Sequence, residues 1–259
     1  MIQPTYQIIV NNWFKLTFSK VFLGSLLLLL AVNVFVYFTE DALLMKTVMP
    51  LFIPVFLIFY FVKYKSLRIA FISFLLFSFL GDTSSLFFSE DSIIQTSSIL
   101  YLLSYLYLII IVAPNFKIGE VDKLIGIYLF VVFMITLYFL YITYSIMQTV
   151  IANETEVLLF GIKSLTLIIL TFLSFGVYLN TQTKQSALFL TAAIFFGFSV
   201  IINYINLYYL YDWSFVLLQR VLYALALYVM FKFIMVAHIN KKPKPIQLNE
   251  SYSSDNILA

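Results

Sequence analysis

The chain has 259 residues, of which 63% are hydrophobic and only 10% charged, with a net charge of +3 and a mean hydropathy of +1.02. A soluble domain is nearer half apolar and a quarter charged, so the composition excludes a soluble globular fold and predicts an all-α polytopic membrane protein. There are no cysteines and a single histidine, His238. That excludes disulfides, thiolate chemistry, an HExxH zinc site and a Ser-His-Asp triad inside the bilayer. The chemistry left to the chain uses carboxylate, amine, guanidinium, hydroxyl and amide groups. No metal or other cofactor is expected, and no stretch resembles a nucleotide loop or a nucleic-acid-binding surface.

Residues 1–20 are polar to mildly amphipathic, with Lys15 and Lys20 ahead of a strong apolar run. A secretory signal is the competing reading. It is rejected because Val21 to Phe38 is too long for a signal core and leads into Thr39-Glu40-Asp41 without a small-x-small cleavage site. A helix needs about 20 apolar residues to span, and about eight runs come close to that: 20–38, 47–62, 67–88, 93–113, 124–149, 157–179, 186–208 and 214–237. The second is short. Pro50 lies near its start, where a missing N–H is tolerated, and Pro54 is expected to bend it.

The third run, Arg68 to Phe88, carries a bare carboxylate, Asp82, just after Gly81. A charge there costs roughly 2.5–3.5 kcal/mol even on the gentler insertion scales. In the fifth run Tyr138, Tyr141 and Tyr144 recur every third residue, a spacing that suits either the interface or the wall of a cavity; the interface is preferred. Asn153-Glu154-Thr155 forms a glycosylation sequon. Tyr204, Tyr208, Tyr209, Tyr211 and Trp213 gather where the seventh run ends and read as an aromatic belt. Lys232, near the inner end of the eighth, is expected to snorkel. The eight spans thus occupy residues 1–238, and the polar tail 239–259, with its KKPKP sequence, is expected to be disordered.

Loop charges set the orientation. Lys15, Lys20, Lys63, Lys65, Arg68, Lys117, Lys123, Lys184, Lys241, Lys242 and Lys244 fall on one side. The other side has Lys46 as its only basic residue, among Glu40, Asp41, Glu90, Asp91, Glu154, Glu156 and Asp212. The alternation predicts that both termini are cytoplasmic, and a bacterial inner membrane is the expected location.

At about 1.5 Å per residue, Asp82 falls roughly 9 Å inside the outer end of the third helix. Lys163 in the sixth helix and Arg220 in the eighth fall at a similar depth. Asn203 and Asn206 lie in the outer part of the seventh, and Lys46 at the outer mouth of the second. This agreement predicts one polar site in the outer half. Ser199, Asn203 and Asn206, spaced i, i+4, i+7, share a helix face. Two readings stay open. In one, Asp82 forms a structural ion pair with Lys163 or Arg220, and the asparagines fasten helices together. In the other, surplus positive charge forms a headgroup pocket, with Arg holding a phosphate through two hydrogen bonds and Lys acting as a point charge.

Eight spans, the stretch Met45-Lys46-Thr47-Val48-Met49-Pro50 opening the second, and a third span ending Phe77-Ser78-Phe79-Leu80-Gly81-Asp82 together resemble the YhhN family, which includes the mammalian lysoplasmalogenases. The resemblance implies hydrolysis of the vinyl-ether bond of a lysophospholipid, releasing an aldehyde and a glycerophospho-alcohol. It implies a catalytic role for Asp82. A Ser-Asp pair usual in the seventh span falls here on Ser199-Val200, so the second carboxylate is missing. A histidine usual in the fourth falls on Ser104, with Tyr107 at the position of the tyrosine that follows it.

The expected site has Asp82 as acid/base, with Lys46, Lys163 and Arg220 on the phosphate. Asn203 orients water or glycerol hydroxyls, and Ser199 and Tyr107 complete the substrate contacts. The expected partner is a membrane lipid, with no nucleic acid. The alternative is a non-catalytic membrane protein that binds or moves a lipid or small anion. A third possibility, a purely structural subunit, predicts that Asp82→Asn changes stability and no ligand's affinity.

Overall fold

Hydrocarbon offers no hydrogen bonds to a bare backbone, and helices satisfy their N–H and C=O groups within each segment. A computed structural model describes residues 4–39, 44, 47–63, 68–87, 90–116, 123–210 and 212–240. Every regular element among them is helical. The helices are α1 (Pro4–Phe38), α2 (Phe52–Lys63), α3 (Ile69–Phe87), α4 (Glu90–Val112), α5 (Lys123–Val150), α6 (Glu154–Thr181), α7 (Lys184–Tyr208) and α8 (Trp213–Asn240). Short 3₁₀ turns lie at Met49–Leu51 and Ala113–Asn115. Among the described residues, 6 helices are long and apolar enough to cross a membrane, at Phe18–Phe38, Gln95–Asn115, Gly126–Val150, Glu154–Thr181, Lys184–Tyr208 and Trp213–His238. Two shorter apolar helices, Met49–Lys63 and Ile69–Ser84, accompany them.

Three details differ from the sequence reading. The first helix already begins at Pro4 and takes in the segment expected as a polar lead. The last runs to Asn240, past the expected end at 238, and the remainder of the tail lies outside the described residues. Pro54 lies inside the apolar helix Met49–Lys63. The irregularity is a 3₁₀ turn at Met49–Leu51, after which Pro54 occupies the first turn of α2.

Helix starts are set by their flanking polar residues. Asn153 Oδ1 accepts from the Thr155 N–H at 3.0 Å and caps α6. Thr183 and Ser186 form a reciprocal capping box at α7. Asp212 Oδ1 accepts from the Ser214 N–H at 2.7 Å at the start of α8. Ser214 holds the Asp212 carboxyl below its ordinary range, so this cap stays charged until the pH falls through that lowered value.

The most intimate pairs are α7 with α8 and α3 with α4, followed by α4 with α6 and α6 with α7. Small buried side chains, Ala192 and Ala193 on α7 and Ala224 and Ala226 on α8, go with the close approach of that first pair. Ser199 Oγ adds a hydrogen bond across it to the Gln219 carbonyl, at 3.1 Å. On the other side of the bundle α1 and α2 pack against α8 through aromatic rings, Phe22 lying 4.3 Å from Phe231 between centroids. His238 ties α8 to α2. Its Nδ1 donates to the Ile234 carbonyl at 3.1 Å, and its Nε2 is hydrogen-bonded with the Tyr60 hydroxyl at 3.2 Å.

Helix α5 is peripheral, with only 6% of its apolar span buried, and it packs on α6. Ile127, Phe130 and Phe139 are exposed on it, as lipid-facing residues would be. Of its three spaced tyrosines, Tyr138 and Tyr141 are exposed, whereas Tyr144 is half-buried beside Gly161. The belt reading fails for one residue. Tyr204 is 6% exposed and belongs to a small buried cluster with Met147, Ile151, Val157 and Phe160. Trp213 does sit at a helix end, stacked on Tyr37 at 4.8 Å, and Tyr209 is exposed. Tyr211 lies outside the described residues. Lys232 rests over the Tyr228 ring at 4.6 Å.

Candidate functional site

The sequence from Ser78 to Ser84 gives α3 a polar face. Ser78 and Asp82 are four residues apart and so lie one above the other. Both face α4, which offers its own stripe of Ser98, Tyr101, Ser104 and Tyr105 at helical spacing. Asp82 is 6% exposed and Ser78 and Ser104 are almost fully buried. Tyr101, on α4, donates a short hydrogen bond to Asp82 Oδ1. Tyr223, on α8, donates to Oδ2 at 3.2 Å. Both carboxylate oxygens are therefore held, and by hydroxyls from two different helices. One turn along α3, Ser104 Oγ donates to the Phe74 carbonyl at 3.1 Å. Its single proton is then in use, so Ser78 must be the donor in the 2.6 Å Ser78–Ser104 bond.

The glycine before the aspartate has a steric role. A Cβ on Gly81 would lie 3.1 Å from a Tyr101 ring carbon, so the absence of a side chain there lets the ring reach Asp82. Gly81→Ala is expected to displace the Tyr101 ring by a few tenths of an ångström and lengthen its bond to the carboxylate. The overpacking penalty of about 1–3 kcal/mol is partly offset by roughly 1 kcal/mol of helix propensity. Thermal stability should therefore change little, while any activity that depends on Asp82 falls. Thermal unfolding measured alongside turnover separates the two.

Arg220 stands one turn before Tyr223 on α8, within electrostatic reach of Asp82. It makes no direct ion pair with the carboxylate among the described residues. Its Nη1 instead donates a short hydrogen bond to Asn33 Oδ1 on α1. Asn33 Nδ2 in turn bonds the Leu29 carbonyl at 2.8 Å. Arg220 Nε is buried with no hydrogen-bond partner.

Lys163 is placed elsewhere. It is 6% exposed on α6, where Nζ donates to Ser98 Oγ at a long 3.4 Å and lies 4.7 Å from the centroid of the Tyr204 ring. Its polar neighbours are thus Ser98 and Tyr204, not Asp82 or Arg220. Asn206 Oδ1 and the Tyr204 hydroxyl are both buried without a hydrogen-bond partner.

The expected site residues therefore divide. Asp82 and Arg220 come together, and Lys163 stands apart with Ser98. Ser199 is buried and directed into the α7–α8 contact, and Asn203 is half-buried. Tyr107 stacks on Phe77 at 5.7 Å, while Tyr101 and Tyr223 take the positions around the carboxylate. Ser104, at the position expected for a histidine, is a serine bonded to Ser78. Lys46 lies outside the described residues. Among the described residues no three His, Asp or Glu side chains gather as a metal-ligand set.

Searches of protein-family models, curated proteins and solved structures find no match to this chain. The chemistry of the site carries the functional reading. It offers one buried carboxyl, two phenolic hydroxyls that can turn to donate or accept, and a guanidinium with a free donor.

Proposed function

We propose that this is an eight-span, YhhN-like protein of a bacterial inner membrane, with both termini cytoplasmic, that hydrolyses the vinyl-ether bond of a lysophospholipid. Asp82 is its acid/base group, in the outer half of the bilayer. The observation that carries the reading is the Asp82 carboxyl held by the Tyr101 and Tyr223 hydroxyls. Vinyl-ether hydrolysis needs a proton delivered to carbon and then a base for the incoming water. Two carboxylates can divide that work, but one can perform it in sequence. Asp82, protonated, gives its proton to the β-carbon of the vinyl ether and is left as a carboxylate facing the oxocarbenium ion. Water adds to that ion and returns a proton to the same carboxylate. The hemiacetal then collapses to aldehyde and glycerophospho-alcohol.

The tyrosines suit both halves of this cycle. A phenolic hydroxyl donates to the carboxylate and, by rotating, accepts from the carboxylic acid. The unpartnered Arg220 Nε supplies a charged donor for the phosphate ester. The test is direct. Purified protein in lipid nanodiscs, given a lysoplasmenyl lipid, should release aldehyde, and Asp82→Asn should abolish the release. Undiminished aldehyde from the Asn variant would remove Asp82 from the mechanism.

A second reading, non-catalytic binding of a lipid or anion, draws on Ser199-Val200. The second carboxylate of the resembled family is missing there, and Ser199 is engaged with Gln219. Lipid retained without turnover in native mass spectrometry would favour it.

A further inference from the structure

An ammonium has three N–H donors and, in an apolar surrounding, needs a counter-charge close by. Lys163 has neither requirement met. One N–H reaches Ser98 Oγ at 3.4 Å, longer than a good hydrogen bond. The Tyr204 ring, at 4.7 Å, supplies a soft second contact. Among the described residues no carboxylate forms an ion pair with it. Glu156 is the nearest acidic residue along the same face of α6, seven positions back and so about 10 Å away. It accepts from the Tyr208 hydroxyl at 3.2 Å. The Tyr204 hydroxyl is buried and unpaired.

Three helices thus bring two hydroxyls and an ammonium together, Ser98 from α4, Tyr204 beside it from α7 and Lys163 from α6, and among the described residues the lysine charge has no ion-pair partner. Toward the α5–α6 turn a groove of about 640 Å³ opens, lined in part by Tyr144, Gln148, Ile151, Val157 and Leu158. Ile151 and Val157 also belong to the buried cluster around Tyr204. The groove therefore comes within about two helical turns of Lys163, with Glu154 and Thr155 lining it beside the apolar residues.

We propose that Lys163, Ser98 and Tyr204 form a second site, separate from Asp82, that takes a phosphoryl oxyanion. The three donors complement an oxygen-rich anion, and the bound anion supplies the charge that the lysine lacks. The site stands whether or not Asp82 is catalytic.

The test uses the full chain in detergent with three probes titrated in parallel. They are a single-chain lysophosphatidic acid, the monoacylglycerol with the same chain, and inorganic phosphate. The lysophosphatidic acid is expected to bind at least about tenfold more tightly than the monoacylglycerol, and Lys163→Met to abolish that preference. Lys163→Arg should keep most of it, Tyr204→Phe should weaken it, and Asp82→Asn should leave it intact. Phosphate competing as well as the lysolipid identifies the free anion as the source, and phosphate competing poorly identifies a lipid headgroup. Equal affinity for the phosphorylated and neutral lipids overturns the site, as does undiminished preference in Lys163→Met. Should that variant fail to fold, undiminished preference in Tyr204→Phe overturns it instead.

Discussion

The Tyr101→Phe/Tyr223→Phe double variant is expected to be less stable than Asp82→Asn, although it removes only two hydroxyl oxygens. In the parent both carboxylate oxygens accept a tyrosine hydroxyl, and Asp82 is otherwise enclosed at 6% exposure. Taking away both donors leaves the carboxylate, among the described residues, with Arg220 as its one compensating charge, and at a distance. In a water-soluble core, stranding the carboxylate form in this way costs about 3–5 kcal/mol; Asp82 escapes part of that cost by taking up a proton, so the loss is smaller here and shrinks as the pH falls. Asp82→Asn strands less. The amide oxygen still accepts one hydroxyl, and the other tyrosine loses a single hydrogen bond worth about 0.5–1.5 kcal/mol. Combining Asp82→Asn with the double variant should then recover much of the loss, because the group that needed the donors is no longer charged. Denaturant or thermal unfolding of the four proteins in one detergent forms the cycle. A double variant as stable as the parent would mean that the tyrosines do not hold the carboxylate.

How far the sequence announced this arrangement depends on which coordinate is asked about. Depth was legible. Bilayer thickness fixes how many apolar residues a span needs, so the expected runs at 124–149 and 186–208 lie within a residue or two of α5 and α7. The same reasoning put Asp82, Lys163 and Arg220 at similar depths. Rotation about each helix axis was not legible. Residues at one depth on different helices meet only if their faces turn toward each other, and each residue step rotates the face by about 100°. Lys163 faces Ser98 and Tyr204, while Asp82 faces Tyr101 and Tyr223.

Tyr204 shows the same limit. Its position near a helix end suggested the interface, but its face of α7 turns inward against Phe160. One signal was available and unused. Ser98, Tyr101 and Tyr105 repeat at i, i+3, i+7 into the apolar second half of α4, and a polar stripe of that kind marks the side that packs against protein. Asn33, the one amide side chain in the apolar second half of α1, was a second such signal.

Asn33 leads to the other large effect. Asn33→Leu should destabilise the bundle by more than the loss of one neutral hydrogen bond, because its partner is Arg220. With Nε already unpaired, losing the Nη1 acceptor leaves the guanidinium, among the described residues, with Asp82 as its one nearby compensating charge. In water-soluble cores such a loss costs about 3–5 kcal/mol. Between membrane helices measured couplings are smaller, averaging about 0.6 kcal/mol with a maximum near 1.7, because stranded groups find other partners.

Here Asp82 is the available alternative, and that makes the outcome diagnostic. If Arg220 swings onto the carboxylate, the cost of Asn33→Leu stays near the membrane range, and the tyrosines lose their hold on Asp82. Under the proposed mechanism, aldehyde release would then fall even though no hydrogen bond of Asn33 reaches the carboxylate or its hydroxyl partners. Adding Arg220→Met to Asn33→Leu removes the stranded charge and should restore stability without restoring the phosphate contact. The expected pattern is a stable double variant with weakened lipid affinity beside a less stable single one. A single variant as stable as the parent would show that the α1–α8 hydrogen bond does not support the site.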